Sequence, residues 1–206
     1  MKISILLPYK ENFTPVYAGA VSLFLKDTVK LSKYKKSIQV FGNTSFKKKL
    51  LANYTNLNFK KFFFRSSSKA YVKKFLDEEK LKKSNLIEIH NRPEYINSIY
   101  KKNKNIVLYF HNNPLEMKLA KTLNERINLC NKTKKIIFNS NWTLKQFTKG
   151  LNKKYIMNKL EVINQSTSKK IINFKNKKKI ILFVGRLNAS KGYDLFGKAI
   201  ISLSLI

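Results

Sequence analysis

The chain has 206 residues, enough for one domain and part of a second, and 43% of them are hydrophobic and 13% aromatic. This composition supplies a packed core and excludes a chain that is disordered throughout. Lys and Arg number 43 against 11 Asp and Glu, but the net charge of +32 is spread over basic runs along the whole sequence, which indicates a compositional bias rather than one dedicated polyanion-binding patch.

The first third of the sequence alternates apolar runs with helical patterns, as parallel α/β sheets do. Residues 3–7 and 37–41 are predicted to be strands, and a helix between them is predicted to open around Gly19. A glycine there lets backbone approach a bound group closely, and the free N–H groups of a helix start favour anions. The pattern further predicts a short helix, a strand and a longer helix at residues 46–53, 58–64 and 69–81.

Two neighbouring units in the middle of the sequence each end an apolar run in His-Asn. Strands are predicted at residues 85–90 and 105–111, ending at His90 and His111, with one crossover helix within residues 94–104. Such strands are parallel neighbours, so both imidazoles are expected at the same edge of the sheet as Gly19. One histidine is usually structural, but two at equivalent strand ends indicate a site. Glu88 is expected to point towards the sheet interior or to the face opposite the neighbours of His90.

The next segment continues the α/β alternation. An amphipathic helix is predicted at residues 116–131, with Leu119, Leu123, Ile127 and Cys130 facing inward. A strand at 135–138, a helix at 142–149 capped by residues 139–141, and a strand at 160–163 are predicted to follow. Residues 166–179 are polar and basic, as interdomain linkers often are.

After this linker, residues 180–184 are consecutively apolar and are predicted to form a strand buried on both faces. Gly185 then turns the chain, and Arg186 and Lys191 follow on the loop before Gly192 and a helical pattern. Two cations at the carboxyl end of a buried strand suit a phosphate, since a guanidinium can bind two oxygens in its plane and an ammonium adds a point charge.

The run Gly-Arg-Leu-x-x-x-Lys-Gly after an apolar strand resembles the start of the second domain in family 4 glycosyltransferases of the GT-B fold. The two strand-His-Asn-x-Pro units resemble the first domain of the same family. The resemblance implies that Arg186, Lys191 and Gly19 bind the diphosphate of a nucleotide-sugar donor and that His90 is the catalytic contact to the transferred sugar or acceptor. It further implies that the acceptor and sugar pocket is lined by Asn91, Arg92, Glu94, His111, Asn112 and Asn113.

The resemblance implies an α/β fold with a Rossmann-like parallel sheet and flanking helices, the first half of a GT-B fold. Residues 1–165 would form the acceptor-side domain, 166–179 the linker, and 180–206 the beginning of an incomplete nucleotide-sugar-binding domain, so that the chain is expected to be a fragment inactive by itself. The implied activity is a retaining transfer of a sugar from a nucleotide-sugar to an acceptor hydroxyl. The acceptor would be a glycan or a lipid-linked molecule of cell-envelope synthesis.

No cofactor or metal is expected, because the three aspartates form no Asp-x-Asp pair and no metal-spaced His/Cys cluster occurs. Cys130 is the only cysteine, so an intrachain disulfide is excluded, and no apolar run is long enough to span a bilayer. We therefore expect a cytoplasmic protein, with peripheral contact to an anionic membrane as a further possibility that its basic charge allows.

Three other classes remain open. A nucleic-acid-binding protein would use the +32 charge, but it predicts clustered basic residues with interleaved aromatics, and no such recognition motif for nucleic acid is found. A Rossmann dehydrogenase would need Gly-x-Gly-x-x-Gly after the first strand, where Gly19 stands alone. A non-catalytic Rossmann-like binding domain would share the fold without the transfer reaction.

Overall fold

The structure is a computed structural model, and it describes residues 1–58, 66–152, 156–165, 180–185, 187 and 189–204. The chain divides into two compact units, Met1–Ser168 and Lys169–Ile206. Arg186 lies outside the described residues, as do residues 59–64 of the strand predicted at 58–64.

The described part of the first unit is built on one parallel sheet. Its seven strands are β1 (Ile3–Leu6), β2 (Ile38–Gly42), β3 (Tyr54–Asn56), β4 (Leu86–His90), β5 (Ile106–Phe110), β6 (Lys135–Phe138) and β7 (Leu160–Val162). They lie in the order β3-β2-β1-β4-β5-β6-β7, and every neighbouring pair is parallel. With its flanking helices this is the Rossmann-like α/β fold that the alternating pattern predicts.

Helices pack on both faces of this sheet. The described helices of the first unit are α1 (Ala20–Leu31), α2 (Ser67–Lys82), α3 (Ile96–Ile99), α4 (Leu123–Lys132) and α5 (Asn141–Thr148). Residues of α2 to α5 join one core with Ile87, Leu108 and Phe138 of the sheet, whereas α1 joins a second core with Ile5 and Val40. No helix within the described ranges is both long and apolar enough to cross a bilayer.

The strand after β2 differs from the sequence prediction. Residues 46–53 form no helix, and the third strand within the described ranges is Tyr54–Asn56, where the pattern predicts none. The Val40 amide donates to the Asn53 carbonyl at 2.9 Å, and the Tyr54 ring stacks on Phe13 with 5.0 Å between centroids. These contacts with residues distant in the sequence stabilise Tyr54–Asn56 as a strand. The local strand propensity of the sequence does not contain this information.

The helices that follow β4 and β5 are shorter than predicted. The crossover contains a 3₁₀ turn at Pro93–Tyr95 and then the four residues of α3, and α4 begins only at Leu123. Thr122 and Glu125 form a reciprocal capping box that fixes this start. The predicted inward face was wrong at Leu123 and Ile127, which are 42% and 41% exposed, but Cys130 is buried in the core as predicted.

Arg126 takes the inward position on α4 instead. Its guanidinium donates to the carbonyls of Lys121 at 3.1 Å and Lys149 at 2.6 Å, so it joins the start of α4 to the end of α5. An apolar periodicity cannot predict this, because the buried group is a cation that satisfies backbone carbonyls.

The described residues of the second unit contain the helix α6 (Tyr193–Ser204), preceded by a 3₁₀ turn at Ala189–Lys191. The prediction of a buried strand at residues 180–184 is wrong: the segment forms neither strand nor helix. Ile180, Ile181, Leu182 and Val184 are 67%, 67%, 74% and 83% exposed. A parallel strand needs a neighbour for its ladder of hydrogen bonds, and the described part of this unit offers none.

Candidate functional site

A polar cavity of about 280 Å³ lies at the carboxyl ends of β4 and β5. Its lining comes from the loops that follow the two His-Asn pairs and consists of Asn91, Arg92, Glu94, Asn112, Asn113, Glu116, Met117 and Lys118. Five of the six residues predicted for the acceptor and sugar pocket therefore surround one cavity. The sixth, His111, directly precedes Asn112. This edge of a parallel sheet is where α/β proteins commonly bind ligands.

Asn91 joins the two His-Asn units. Its backbone has φ of 53°, a left-handed conformation that Asn tolerates better than most residues. Its side-chain Oδ1 accepts a hydrogen bond from the His111 amide at 2.8 Å, and its carbonyl accepts from the Arg92 guanidinium at 2.8 Å. The residue after the first histidine thus fixes the backbone of the second.

The two histidines belong to a continuous chain of four polar side chains. Glu88 Oε1 lies 2.6 Å from His90 Nε2, and His90 Nδ1 lies 2.8 Å from His111 Nε2. At the far end the Gln165 amide nitrogen lies 2.5 Å from His111 Nδ1. We call these four residues the histidine chain.

The ends of the histidine chain determine the direction of its hydrogen bonds. The Glu88 carboxylate can only accept, so, with one proton on each ring, His111 Nδ1 accepts from the Gln165 amide nitrogen and the His111 proton is on Nε2. That N–H donates to His90 Nδ1, and His90 Nε2–H donates to the Glu88 carboxylate. One proton on each ring therefore satisfies all three contacts, and reversing any one of them would leave two donors or two acceptors facing each other.

Aromatic rings enclose the two imidazoles. Tyr109 stacks on His111 with 4.4 Å between centroids and on His90 with 5.4 Å, and the Phe24 ring of α1 meets His111 edge-on at 5.4 Å. The Tyr109 hydroxyl donates to the Ile163 carbonyl at 2.7 Å, which ties down the segment that carries Gln165. Burial, together with the neighbouring His90, lowers the pKa of His111 from 6.5 to about 2.

His90 is completely buried, and both of its ring nitrogens have protein partners. It is therefore placed to orient His111, which is only half-buried and is followed by the cavity residues Asn112 and Asn113. The assignment of His90 as the catalytic contact stays a prediction.

The contact of Glu88 with His90 was missed: the Glu88 carboxylate lies on the same face of β4 as the His90 ring and is hydrogen-bonded to it. Side chains two apart on a strand share a face, so the spacing of Glu88 and His90 carried this signal. Gln165 was also missed, and no local pattern could reveal it, because 54 residues separate it from His111.

Glu94 is the carboxylate in the cavity that is best suited to hold a proton. Burial raises its pKa, and Arg92 and Lys118 oppose that rise in part. The Arg92 Nε atom is 3.9 Å from Glu94 Oε1, so the guanidinium is near without a close ion pair.

Gly19 lies at the N-cap of α1, and an anion supplied by the chain itself occupies the space beside it. The Glu11 carboxylate accepts a hydrogen bond from the Ser22 amide at 3.0 Å. A Cβ added at Gly19 would lie 2.1 Å from Glu11 Oε1, so the glycine is required for this approach. The role of Gly19 in binding a donor diphosphate stays a prediction.

Lys191 belongs to the second unit and is exposed at the end of the 3₁₀ turn that precedes α6. Its predicted partner Arg186 falls outside the described residues. Within the described ranges, no group of three or more His, Cys, Asp or Glu side chains is arranged to hold a metal ion.

Comparison of the chain with protein-family models gives no match. Comparison with curated proteins gives none either.

Proposed function

We propose that the protein takes part in the transfer of a sugar from a nucleotide-sugar to an acceptor hydroxyl, with retention at the anomeric carbon. The observation that carries the proposal is the cavity after β4 and β5, where Asn91, Arg92, Glu94, Asn112 and Asn113 meet beside His111. Amide, guanidinium and carboxyl groups in one small cavity can hydrogen-bond the several hydroxyls of a sugar ring.

The reaction breaks the bond between the anomeric carbon and the diphosphate oxygen, and the electron pair leaves with the diphosphate. The acceptor oxygen bonds to the anomeric carbon, and its proton passes to the departing diphosphate. Arg186 and Lys191 would stabilise the charge on that diphosphate. His111, kept neutral by its surroundings and held at both ring nitrogens by His90 and Gln165, would border the sugar or acceptor without adding positive charge beside a cationic transition state.

The acceptor of this proposal is a glycan or a lipid-linked molecule, and the basic surface would allow contact with an anionic membrane. The nucleotide-sugar is a substrate, and the proposed reaction requires no metal ion, since the two cations at residues 186 and 191 are assigned to the diphosphate.

The test is calorimetric titration of the whole chain with UDP-glucose, UDP-N-acetylglucosamine and GDP-mannose. We expect at least one of them to bind and Lys191→Ala to weaken that binding about tenfold, because one charge-assisted contact is lost. Lys198→Ala is the matched control, since Lys198 is an exposed lysine on α6 and its removal changes the net charge equally. We expect a change below about twofold for this control.

Binding of none of the three nucleotide-sugars would reject the proposal. Equal weakening by Lys191→Ala and Lys198→Ala would also contradict it, because it would show that only the net charge attracts the nucleotide.

A further inference from the structure

A second polar cavity, of about 500 Å³, lies along the same edge of the sheet but at the other strands. It is formed by the loops after β1, β2 and β3 and is lined by Tyr9, Lys10, Asn12, Asn43, Thr44, Ser45, Asn56 and Asn58. None of these residues belongs to the cavity after β4 and β5 or to the histidine chain.

The lining of this second cavity is unusual for the chain in two ways. Asparagine is about one residue in nine of the sequence, yet it supplies half of the described lining. Lys10 is the one charged residue among the described lining residues, in a chain that carries 43 Lys and Arg. The cavity therefore concentrates neutral hydrogen-bonding groups, and the general basic bias of the sequence does not explain it.

The wall of the cavity is held in place before any ligand arrives. Asn56 Oδ1 accepts hydrogen bonds from the Thr44 amide at 2.8 Å and the Tyr54 hydroxyl at 3.1 Å, and its Nδ2 donates to Asn58 Oδ1 at 2.5 Å. Gly42 makes room for this arrangement, because a Cβ there would lie 2.6 Å from the Tyr54 hydroxyl oxygen. Ordered side chains lose little entropy when a ligand binds.

Several polar groups of the lining remain available. Asn12 accepts a long 3.4 Å hydrogen bond from the Thr44 hydroxyl through Oδ1, while its Nδ2 has no partner within the described residues. The side chains of Asn43 and Ser45 and the Nδ2 of Asn58 are likewise without a hydrogen-bond partner in that part of the chain. Each amide or hydroxyl can offer donors and acceptors side by side, which is what a sugar hydroxyl needs, since it is a donor and an acceptor at once.

We propose that this cavity binds an uncharged saccharide through Asn12, Asn43 and Asn58. Amide groups beside the ordered wall of Thr44, Asn56 and Asn58 recognise the hydroxyls. The assignment of this saccharide as the sugar acceptor rests on the proposed function, whereas binding of the saccharide does not.

The test is nuclear magnetic resonance of the whole chain labelled with ¹⁵N, observing the asparagine side-chain amide signals. Maltotriose, chitotriose and mannotriose are the neutral probes, and glucuronic acid and UMP are the anionic ones. We expect saturable shifts of the Asn12, Asn43 and Asn58 signals with at least one neutral trisaccharide. Asn12→Ala and Asn43→Ala should each weaken its binding about fivefold, the value of one hydrogen bond.

Asn124→Ala is the matched control, because Asn124 is exposed on α4, outside both cavities, and alanine favours a helix. It should leave the saccharide affinity unchanged. Shifts that occur only with glucuronic acid or UMP, or with no probe, would overturn the inference. An equal loss of saccharide affinity in Asn124→Ala would also overturn the inference.

The two proposals can fail separately. A chain that binds a trisaccharide here but none of the nucleotide-sugars would be a saccharide-binding protein without the transfer reaction. A chain that binds a nucleotide-sugar, with no response of these three amides to the trisaccharides, would keep the proposed function and lose the inference.

Discussion

His90 and His111 are each held by hydrogen bonds that require the ring proton at one particular nitrogen. Glu88 at one end of the histidine chain accepts and the Gln165 amide at the other end donates, so the contacts between them have one consistent direction. Burial among Phe24 and Tyr109 removes water that could satisfy a misplaced proton. Polar residues far apart in the sequence thus determine which ring nitrogen of each histidine carries the proton.

We expect both imidazoles to be in the Nε2–H form at pH 7. Long-range ¹H–¹⁵N correlation spectra identify the tautomer, and the assignment is simple because the sequence contains two histidines. The His111 pattern should persist down to pH 4.5, since its pKa is lowered to about 2. Glu88→Gln is the matched variant: an amide can donate as well as accept, so a second tautomer should appear at His90.

The same lowered pKa has a consequence for stability. Between pH 6.5 and about 2 the unfolded chain binds a proton at this histidine and the folded chain does not, so acid favours unfolding. The stabilisation that comes from keeping His111 neutral is fully present above pH 6.5. As the pH falls below 6.5, the free energy of unfolding decreases by up to ~1.4 kcal/mol per pH unit. An Nδ1–H signal from His111, or its protonation near pH 6, would contradict this interpretation.

Helix α1 shows how one element depends on a contact outside it. Its first turn contains no acidic residue and its N-cap makes no side-chain hydrogen bond, so the helix start is stabilised from a distance by Glu11. That carboxylate meets both the free Ser22 amide and the positive end of the helix dipole. The absence of a Cβ at Gly19 is the condition for this contact.

Replacing Gly19 by alanine should therefore displace the Glu11 carboxylate and destabilise the first unit by about 1 kcal/mol. Urea unfolding measures the free energy of unfolding of Gly19→Ala, Glu11→Ala and the double variant. In the Glu11→Ala background the effect of Gly19→Ala should be close to zero. Equal effects in both backgrounds would show that the glycine acts through its own backbone and that the close approach of Glu11 is irrelevant.

At the scale of the whole molecule, the described strands of the sheet and the helices packed on it lie in the first unit. Both cores consist of residues between Ile3 and Val162, among them Leu6, Phe41 and Phe138. In the second unit, the apolar side chains of residues 180–184 are largely exposed, and α6 is the described helix. Stability is therefore expected to come from the first unit.

Residues 1–168 produced without the remainder should fold as a cooperative unit. Its urea midpoint, followed by near-ultraviolet circular dichroism, should agree with that of the whole chain, because the described residues of both cores lie within it. The whole chain is the control. A lower midpoint by more than about 0.5 M, or the loss of cooperativity, would mean that residues 169–206 contribute to the core.

The sequence by itself determined the fold class and the edge of the sheet where the polar residues gather. Strands at residues 86–90, 106–110 and 135–138 could be predicted because each is a short apolar run bounded by polar residues, and β5 is buried throughout. The pairing of His90 with His111 followed from parallel strand ends. These features depend on the local hydrophobic periodicity and on the short crossover between β4 and β5, and both can be read from the sequence.

Only the tertiary structure decided what depends on distant neighbours. Tyr54–Asn56 becomes a strand because β2 offers it hydrogen bonds. The apolar residues 180–184 form no strand, because the described part of their unit offers no partner strand. Glu11 beside Gly19 and Gln165 beside His111 are likewise joined across the fold. A hydrogen bond or a buried ion needs a partner at the right distance, and the order of residues along a chain does not contain that distance.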